Sequence, residues 1–176
     1  LLFVLPKTVV KDDEPSESVG TVKSEDHSSE VKLSEAVLLK LSQKKDSLTL
    51  SNVDKNKVLV SISSLFSTEN IFDSAAYYMN LAAENSNSIL LYGQSADLYF
   101  QAYSLSLDPV KRDQLAEITR AQYDKVLKVE PRDLHARTNK AMTFVTSDSP
   151  MQAIMLLRQV LNDQPKYTPA IMSLGA

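Results

Sequence analysis

Two prolines 34 positions apart restrict the folds open to this chain more than any other feature of its sequence. Pro131 and Pro165 each lie four residues after a Val-Leu pair that ends a stretch of helical periodicity. Between the two prolines the sequence predicts two short helices joined by a tight turn at 147–150. A fixed period of this length is typical of solenoids, in which each helix pair buries its apolar face only against its neighbours.

The rest of the chain from residue 33 onward is also predicted to be helical. Apolar residues recur there at three- and four-residue steps, between caps such as Ser34 and helix stops such as Pro131. Only three glycines occur among 176 residues, which argues against hairpin turns and an all-β fold. The predicted helices cover 34–46, 54–67, 70–85, 89–107, 109–129, 132–146, 150–162 and 168–176, and no segment has comparable support as a strand.

Small and bulky residues recur in a fixed order within these helix pairs. In the unit 134–167 the first helix has a small residue and then an aromatic residue, and the second has an alanine, two large residues and a closing proline. The residues in these positions are Ala141, Phe144, Ala153, Leu157, Val160 and Pro165. The stretch 56–89 repeats this order with Leu59, Ile62, Ser63, Phe66, Phe72, Ala75, Met79 and Ala82. Small residues at such positions let two helix backbones approach closely.

This order of residues resembles the tetratricopeptide repeat family. The resemblance implies an all-α fold, a right-handed superhelical array of antiparallel helix pairs. Its repeats would cover 56–89, an irregular unit 90–133, 134–167 and a truncated unit 168–176, with 32–55 as an N-terminal capping helix. The unit 90–133 is ten residues longer than the period, so it fits only if the turn at 108–113 is expanded.

Two segments precede the helices. Residues 1–10 begin with five apolar residues, too few to span a membrane, which needs about 20. We interpret them as the end of a truncated membrane anchor or as an apolar tail that packs on the domain. Residues 11–31 are predicted to be a disordered acidic linker, because seven carboxylates, two lysines and few large apolar residues cannot form a core.

The anchor interpretation carries an expectation about localisation. An anchor followed by an acidic linker and helical repeats resembles the arrangement of bacterial membrane-anchored tetratricopeptide proteins. We therefore expect the repeats on one aqueous side of the cell envelope, with membrane contact only through a missing N-terminal helix. The alternative localisation is the cytoplasm.

Several classes of function lack the residues that they need. The acidic linker carries a formal charge of −5 between 11 and 30, which leaves only +2 elsewhere, too little for a nucleic-acid-binding face. There is no cysteine, and His135 is the single histidine outside the linker, so no metal site is predicted. Three scattered glycines cannot form a phosphate loop. We interpret His135, with Asp133 and Arg137, as a surface cluster at a helix start, and we predict no enzyme, catalytic residue or cofactor.

The resemblance implies a concave groove lined by the first helix of each pair, in which a protein or peptide partner binds. Carried over position by position, the lining residues are Lys57, Val60, Ser64, Ser67, His135, Thr138, Asn139, Met142 and Thr146. Asn139 alone matches the residues with which some family members bind a C-terminal carboxylate. The mixture of Met, Val and Thr favours an apolar or helical ligand instead. The predicted function is a non-catalytic protein-protein interaction scaffold or adaptor.

Two alternatives remain open from the sequence. The truncated C-terminal helix would expose Ile171 and Leu174, which favours a self-association module forming a homodimer within a larger membrane-tethered assembly. An aromatic concentration lies where the repeat is irregular, and it is either core between helix pairs or a docking surface. Its members are Tyr77, Tyr78, Tyr92, Tyr99, Phe100 and Tyr103.

Overall fold

The computed structural model describes residues 33–175, and all regular secondary structure in that part of the chain is α-helical. Each of the eight predicted helices is present, which confirms the all-α class. In chain order they are α1 (Glu35–Ser47), α2 (Lys55–Thr68), α3 (Phe72–Ser86), α4 (Ile89–Leu105), α5 (Pro109–Val129), α6 (Leu134–Met142), α7 (Pro150–Asp163) and α8 (Thr168–Gly175). Of these helices, none has the length and hydropathy needed to cross a bilayer. The predicted anchor and acidic linker lie outside the described residues.

Short polar side chains begin five of these helices. Asp54, Asp108 and Asp133 accept backbone N–H groups of the first turns of α2, α5 and α6 at 2.9–3.2 Å. Ser34 and Ser88 cap α1 and α4 through their hydroxyl oxygens at 3.4 Å. Each cap satisfies a donor that has no partner within its helix, and so fixes where that helix begins.

Helices that follow one another in the chain pack against one another throughout the described residues. In addition, α4 contacts α6 and α6 contacts α8, so the first helices of neighbouring pairs lie side by side. The buried residues form four small apolar clusters in series. These clusters join α1 to α3, α3 to α5, α4 to α6 and α6 to α8. Each helix pair therefore buries its apolar surface against its neighbours.

Small residues are buried where the helices pack against one another. The predicted small positions Ser63, Ala75, Ala82, Ala141 and Ala153 are all at most 2% exposed. Ser63 also donates its hydroxyl to the carbonyl oxygen of Ala75 at 2.7 Å, which joins α2 to α3. At these positions a larger side chain would have to displace the facing helix.

The irregular unit owes its extra length to its helices. α4 and α5 have 17 and 21 residues, against 14 and 15 in α2 and α3. The expanded turn at 108–113 that the fit to the repeat required is therefore absent, and the helix predicted at 109–129 is present. α5 begins at Pro109, because Asp108 accepts the N–H of Val110 and proline suits the first position of a helix.

The helix predicted at 132–146 is shorter in the structure, since α6 ends at Met142. The hydroxyl of Thr143 donates to the carbonyl oxygen of Lys140 at 2.7 Å, and the next N–H groups bond three residues back. Phe144 and Thr146 consequently lie in the turn that follows α6.

Candidate functional site

Four polar side chains from three helices meet where α4 lies beside α6. They are Asp97 of α4, Tyr123 of α5, and His135 and Asn139 of α6, and we call them the Asp97 cluster. The hydroxyl of Tyr123 donates to Asp97 Oδ1 at 2.7 Å, and His135 Nε2 lies 2.7 Å from the same oxygen. Asn139 Nδ2 donates to the Tyr123 hydroxyl at 3.0 Å. Side chains on three separate helices thus share one hydrogen-bond network.

Local sequence explains why the two α6 members share one face. Asp133 caps α6, and therefore sets His135 on the first turn of that helix. Asn139 follows four residues later, one turn along the same face. Tyr123 approaches these two residues from the protein interior. It is 1% exposed and packs in the apolar cluster that contains Ala96.

Electrostatics keep the tyrosine protonated and favour a charged histidine. The pKa of Tyr123 is raised, mainly by burial and next by the negative charge of Asp97. The pKa of His135 is also raised, because its hydrogen bond to Asp97 outweighs the opposing effect of burial. Asp133 adds a smaller electrostatic contribution in the same direction. Tyr123 is therefore a fixed donor, and a raised pKa is the opposite of what an activated nucleophile requires.

A second polar contact lies further along the same two helices. The hydroxyl of Tyr103, on α4, contacts the carbonyl oxygen of Met142 at 3.2 Å and the hydroxyl of Thr146 at 3.0 Å. Tyr103 is only 6% exposed, so the contact anchors α4 to the end of α6. We call the surface from the Asp97 cluster to this contact the α4–α6 face.

The structure places the predicted groove residues in two groups. His135, Asn139, Met142 and Thr146 follow one another along the α4–α6 face. Thr138 does not join them: it is 2% exposed, so its side chain offers no surface to a partner.

The predicted residues of α2 form the other group. Lys57 and Ser64 are exposed, while Val60 and Ser67 are half-buried. Lys57 makes an exposed ion pair with Asp54, at 3.5 Å, within its own helix start. Among the described residues, no hydrogen bond or ion pair connects these four side chains to those of α6.

Asp97, Tyr103 and Tyr123 are the residues of this site that sequence reasoning missed. Tyr103 carried a signal as part of the aromatic concentration, while Tyr123 lay in the predicted helix 109–129. No sequence signal pointed to Asp97. It lies in the unit 90–133, whose ten extra residues prevent an alignment with the repeat, so its position relative to the groove could not be predicted.

The aromatic concentration is mostly packed between helices. Tyr99 and Tyr103 are buried, and Tyr78, Tyr92 and Phe100 are half-buried. Tyr77 is the exception, at 52% exposed.

Ion pairs outside the Asp97 cluster connect other helices. Lys111 and Asp73 join α5 to α3 at 2.7 Å, Lys140 joins α6 to Asp124 of α5, and Arg137 joins α6 to Asp163 of α7.

Within residues 33–175, no group of three or more His, Asp or Glu side chains is arranged to hold a metal ion. Comparisons with models of known protein families and with curated proteins give no match.

Proposed function

We propose that this protein is a non-catalytic scaffold or adaptor that binds a peptide or protein partner along the α4–α6 face. One observation carries the proposal. Asp97 and Asn139 hydrogen-bond to the buried Tyr123, and His135 hydrogen-bonds to Asp97. The side chains nevertheless remain partly exposed, with 41% of Asp97 and 57% of His135 open to solvent. Groups that are already ordered lose little conformational freedom when a partner binds.

The arrangement that we propose for the stack is a right-handed superhelical, tetratricopeptide-like array. Three observations support it: the contacts of α6 with both α4 and α8, the serial apolar clusters, and the buried small residues at the helix crossings. In such an array α2, α4 and α6 line one concave side. The exposed residues of α2, such as Ser64, would then extend the α4–α6 face.

The side chains available suit a peptide with both apolar and polar contacts. Met142 is half-buried at the end of α6, and Val60 is half-buried on α2. Methionine adapts its shape to different apolar partners because its side chain is unbranched and flexible. We therefore propose an extended or helical peptide segment, rather than a nucleic acid, as the partner.

A peptide display selection on the full chain tests this proposal. We expect it to yield peptides that bind Met142→Glu at least about tenfold more weakly than the wild type, since a carboxylate would be desolvated under the peptide. Ser64→Glu, an exposed change on α2, provides a second groove variant that leaves the core intact. Circular dichroism checks that each variant is folded.

Met155→Glu is the matched control, because Met155 is 59% exposed on α7, away from the α4–α6 face. Its affinity for the selected peptides should equal that of the wild type. A selection that yields no peptide, or peptides that respond to Met155→Glu and not to the groove variants, contradicts the proposal.

Self-association is the second candidate, and exposed apolar residues of α8 favour it. Ile171 is 47% exposed and Met172 is 69% exposed, while Leu174 packs against the apolar cluster of α6 and α7. Analytical ultracentrifugation over a range of concentrations would show a dimer that Ile171→Asp weakens. A monomer at every concentration rejects this candidate.

A further inference from the structure

We propose that the Asp97 cluster is a subsite for a cationic side chain, an arginine or lysine, of the bound peptide. This inference rests on the proposed function, because it names the chemistry that the α4–α6 face recognises. It follows from counting the donors and acceptors of the cluster and from the charges around it.

The donors of the cluster converge on one oxygen. A carboxylate only accepts hydrogen bonds, so His135 Nε2 carries a proton and donates it to Asp97 Oδ1. The Tyr123 hydroxyl also donates to Oδ1, so it must accept from Asn139, and this fixes which end of the Asn139 amide faces it. The 3.2 Å approach of Asn139 Nδ2 to His135 Nε2 therefore joins two donors and is not a hydrogen bond.

The polar atoms of the cluster that have no hydrogen-bond partner among the described residues are acceptors. Among the described residues, Asp97 Oδ2 and Asn139 Oδ1 have no hydrogen-bond donor. In neutral His135, Nδ1 is a third acceptor, because the ring proton is on Nε2. Asp97 Oδ2 and Asn139 Oδ1 belong to partly exposed side chains of one network, and they match a ligand group that only donates. Guanidinium and ammonium groups are such donors.

The charges around Asp97 also favour a cationic ligand. No lysine or arginine among residues 33–175 forms an ion pair with Asp97. The nearest cation along α6, Arg137, is already paired with Asp163 of α7. When His135 is neutral, the carboxylate of Asp97 has no compensating charge, and a cationic side chain of the partner would supply it.

The groups that titrate or carry charge around His135 come from every element near it. They are Asp97 of α4, Tyr123 of α5 and Asp133 at the start of α6. The groups that act on His135 itself, Asp97 and Asp133, stabilise its charged form.

Protonation of His135 changes the subsite in two ways. Nδ1 becomes a donor, and the new positive charge compensates Asp97 from within the protein. Both changes oppose a cationic ligand, so its affinity should fall as the pH is lowered through the titration of His135. A ligand group with negative charge would show the opposite dependence.

The test uses N-acetyl-arginine methylamide and its neutral isostere N-acetyl-citrulline methylamide, titrated into the full chain and followed by NMR. We expect saturable shifts of the Asn139 side-chain amide and the His135 ring with the arginine compound. The citrulline compound should bind about fivefold more weakly, at the upper end for a partly exposed ion pair. Acidification from about pH 8 to about pH 5.5 should weaken the arginine compound further.

Asp97→Asn keeps an acceptor for Tyr123 and removes the charge, so it should lower the arginine affinity to that of the citrulline compound. Asp148→Asn, an exposed carboxylate in the turn after α6, is the matched control and should have no effect. Equal binding of the two compounds, no saturable shift, tighter binding of N-acetyl-glutamate methylamide, or indifference to Asp97→Asn overturns the inference.

The two proposals fail separately. If displayed peptides bind the α4–α6 face without a basic residue and without a response to Asp97→Asn, the scaffold function stands and the cationic subsite is wrong. If the arginine compound binds at Asp97 but no peptide is selected, the subsite stands and the peptide-binding function is wrong.

Discussion

Tyr123→Phe removes one hydroxyl from the centre of the Asp97 cluster and leaves the packing of the ring unchanged. Tyr123 is 1% exposed and lies in the apolar cluster that joins α4, α5 and α6. Its hydroxyl donates to Asp97 at 2.7 Å and accepts from Asn139 at 3.0 Å. Phenylalanine fits the same space, so the change isolates the hydrogen bonds.

The expected loss in the free energy of unfolding is about 1 to 2 kcal/mol. A hydrogen bond to a charged group contributes about 1.5 to 3 kcal/mol. Because 41% of the Asp97 side chain is open to solvent, water can replace part of the lost donor, which lowers the expected value. Asn139 also loses an acceptor, but it is half-buried and can turn to water.

Urea unfolding followed by far-UV circular dichroism measures this loss, and Tyr99→Phe is the control. Tyr99 is 8% exposed, and its hydroxyl makes no hydrogen bond with the described residues. It should therefore change stability by less than about 0.5 kcal/mol. Combining Tyr123→Phe with Asp97→Asn should give a smaller loss than the sum of the two single changes, because the pair interacts directly. Equal effects of Tyr123→Phe and Tyr99→Phe, with strict additivity, would refute the reasoning.

Three further predictions concern other features of the stack. The raised pKa of His135 should make its contribution to stability complete below about pH 6.5 and lost as the pH rises through its folded-state pKa. His135→Gln should remove that part of the pH dependence of urea unfolding, and identical pH profiles for variant and wild type would exclude the link to Asp97. Ala141→Leu should destabilise by about 1 to 3 kcal/mol, since Ala141 is 0% exposed, and an unchanged thermal midpoint would show that the crossing is not tight. Lys111→Met should cost about 1 kcal/mol or less in urea unfolding, because the Lys111 side chain is 53% exposed in its ion pair with Asp73; a larger loss would mean that the pair is structurally essential.

Local signals in the sequence were enough to place the helices. α5 begins and ends at the residues predicted, Pro109 and Val129, because a capping aspartate precedes it and Pro131 follows it. α6 ends four residues early, where the backbone N–H groups from Thr143 onward bond three residues back, a change in hydrogen bonding that periodicity does not reveal. The ten extra residues of the irregular unit lengthen two helices, which a pattern of fixed period cannot anticipate.

The site was predictable only where it follows the regular repeat. The spacing of four residues puts His135 and Asn139 on one face of α6, and this is a local property of the sequence. Sequence neighbours suggested that His135 groups with Asp133 and Arg137. In the structure His135 pairs with Asp97, Asp133 caps α6, and Arg137 pairs with Asp163. These partners are distant in sequence, so they depend on how the helices pack.

Chemical-shift mapping of a selected peptide on the full chain is the most direct test of partner binding along the α4–α6 face. The account predicts that the largest changes occur at Asp97, His135, Asn139 and Met142, with smaller changes on α2 at Ser64. Residues on the exposed surfaces of α3, α5 and α7 should be unaffected. Chemical-shift changes centred on α3, α5 and α7, with none at the Asp97 cluster, would contradict partner binding along the α4–α6 face.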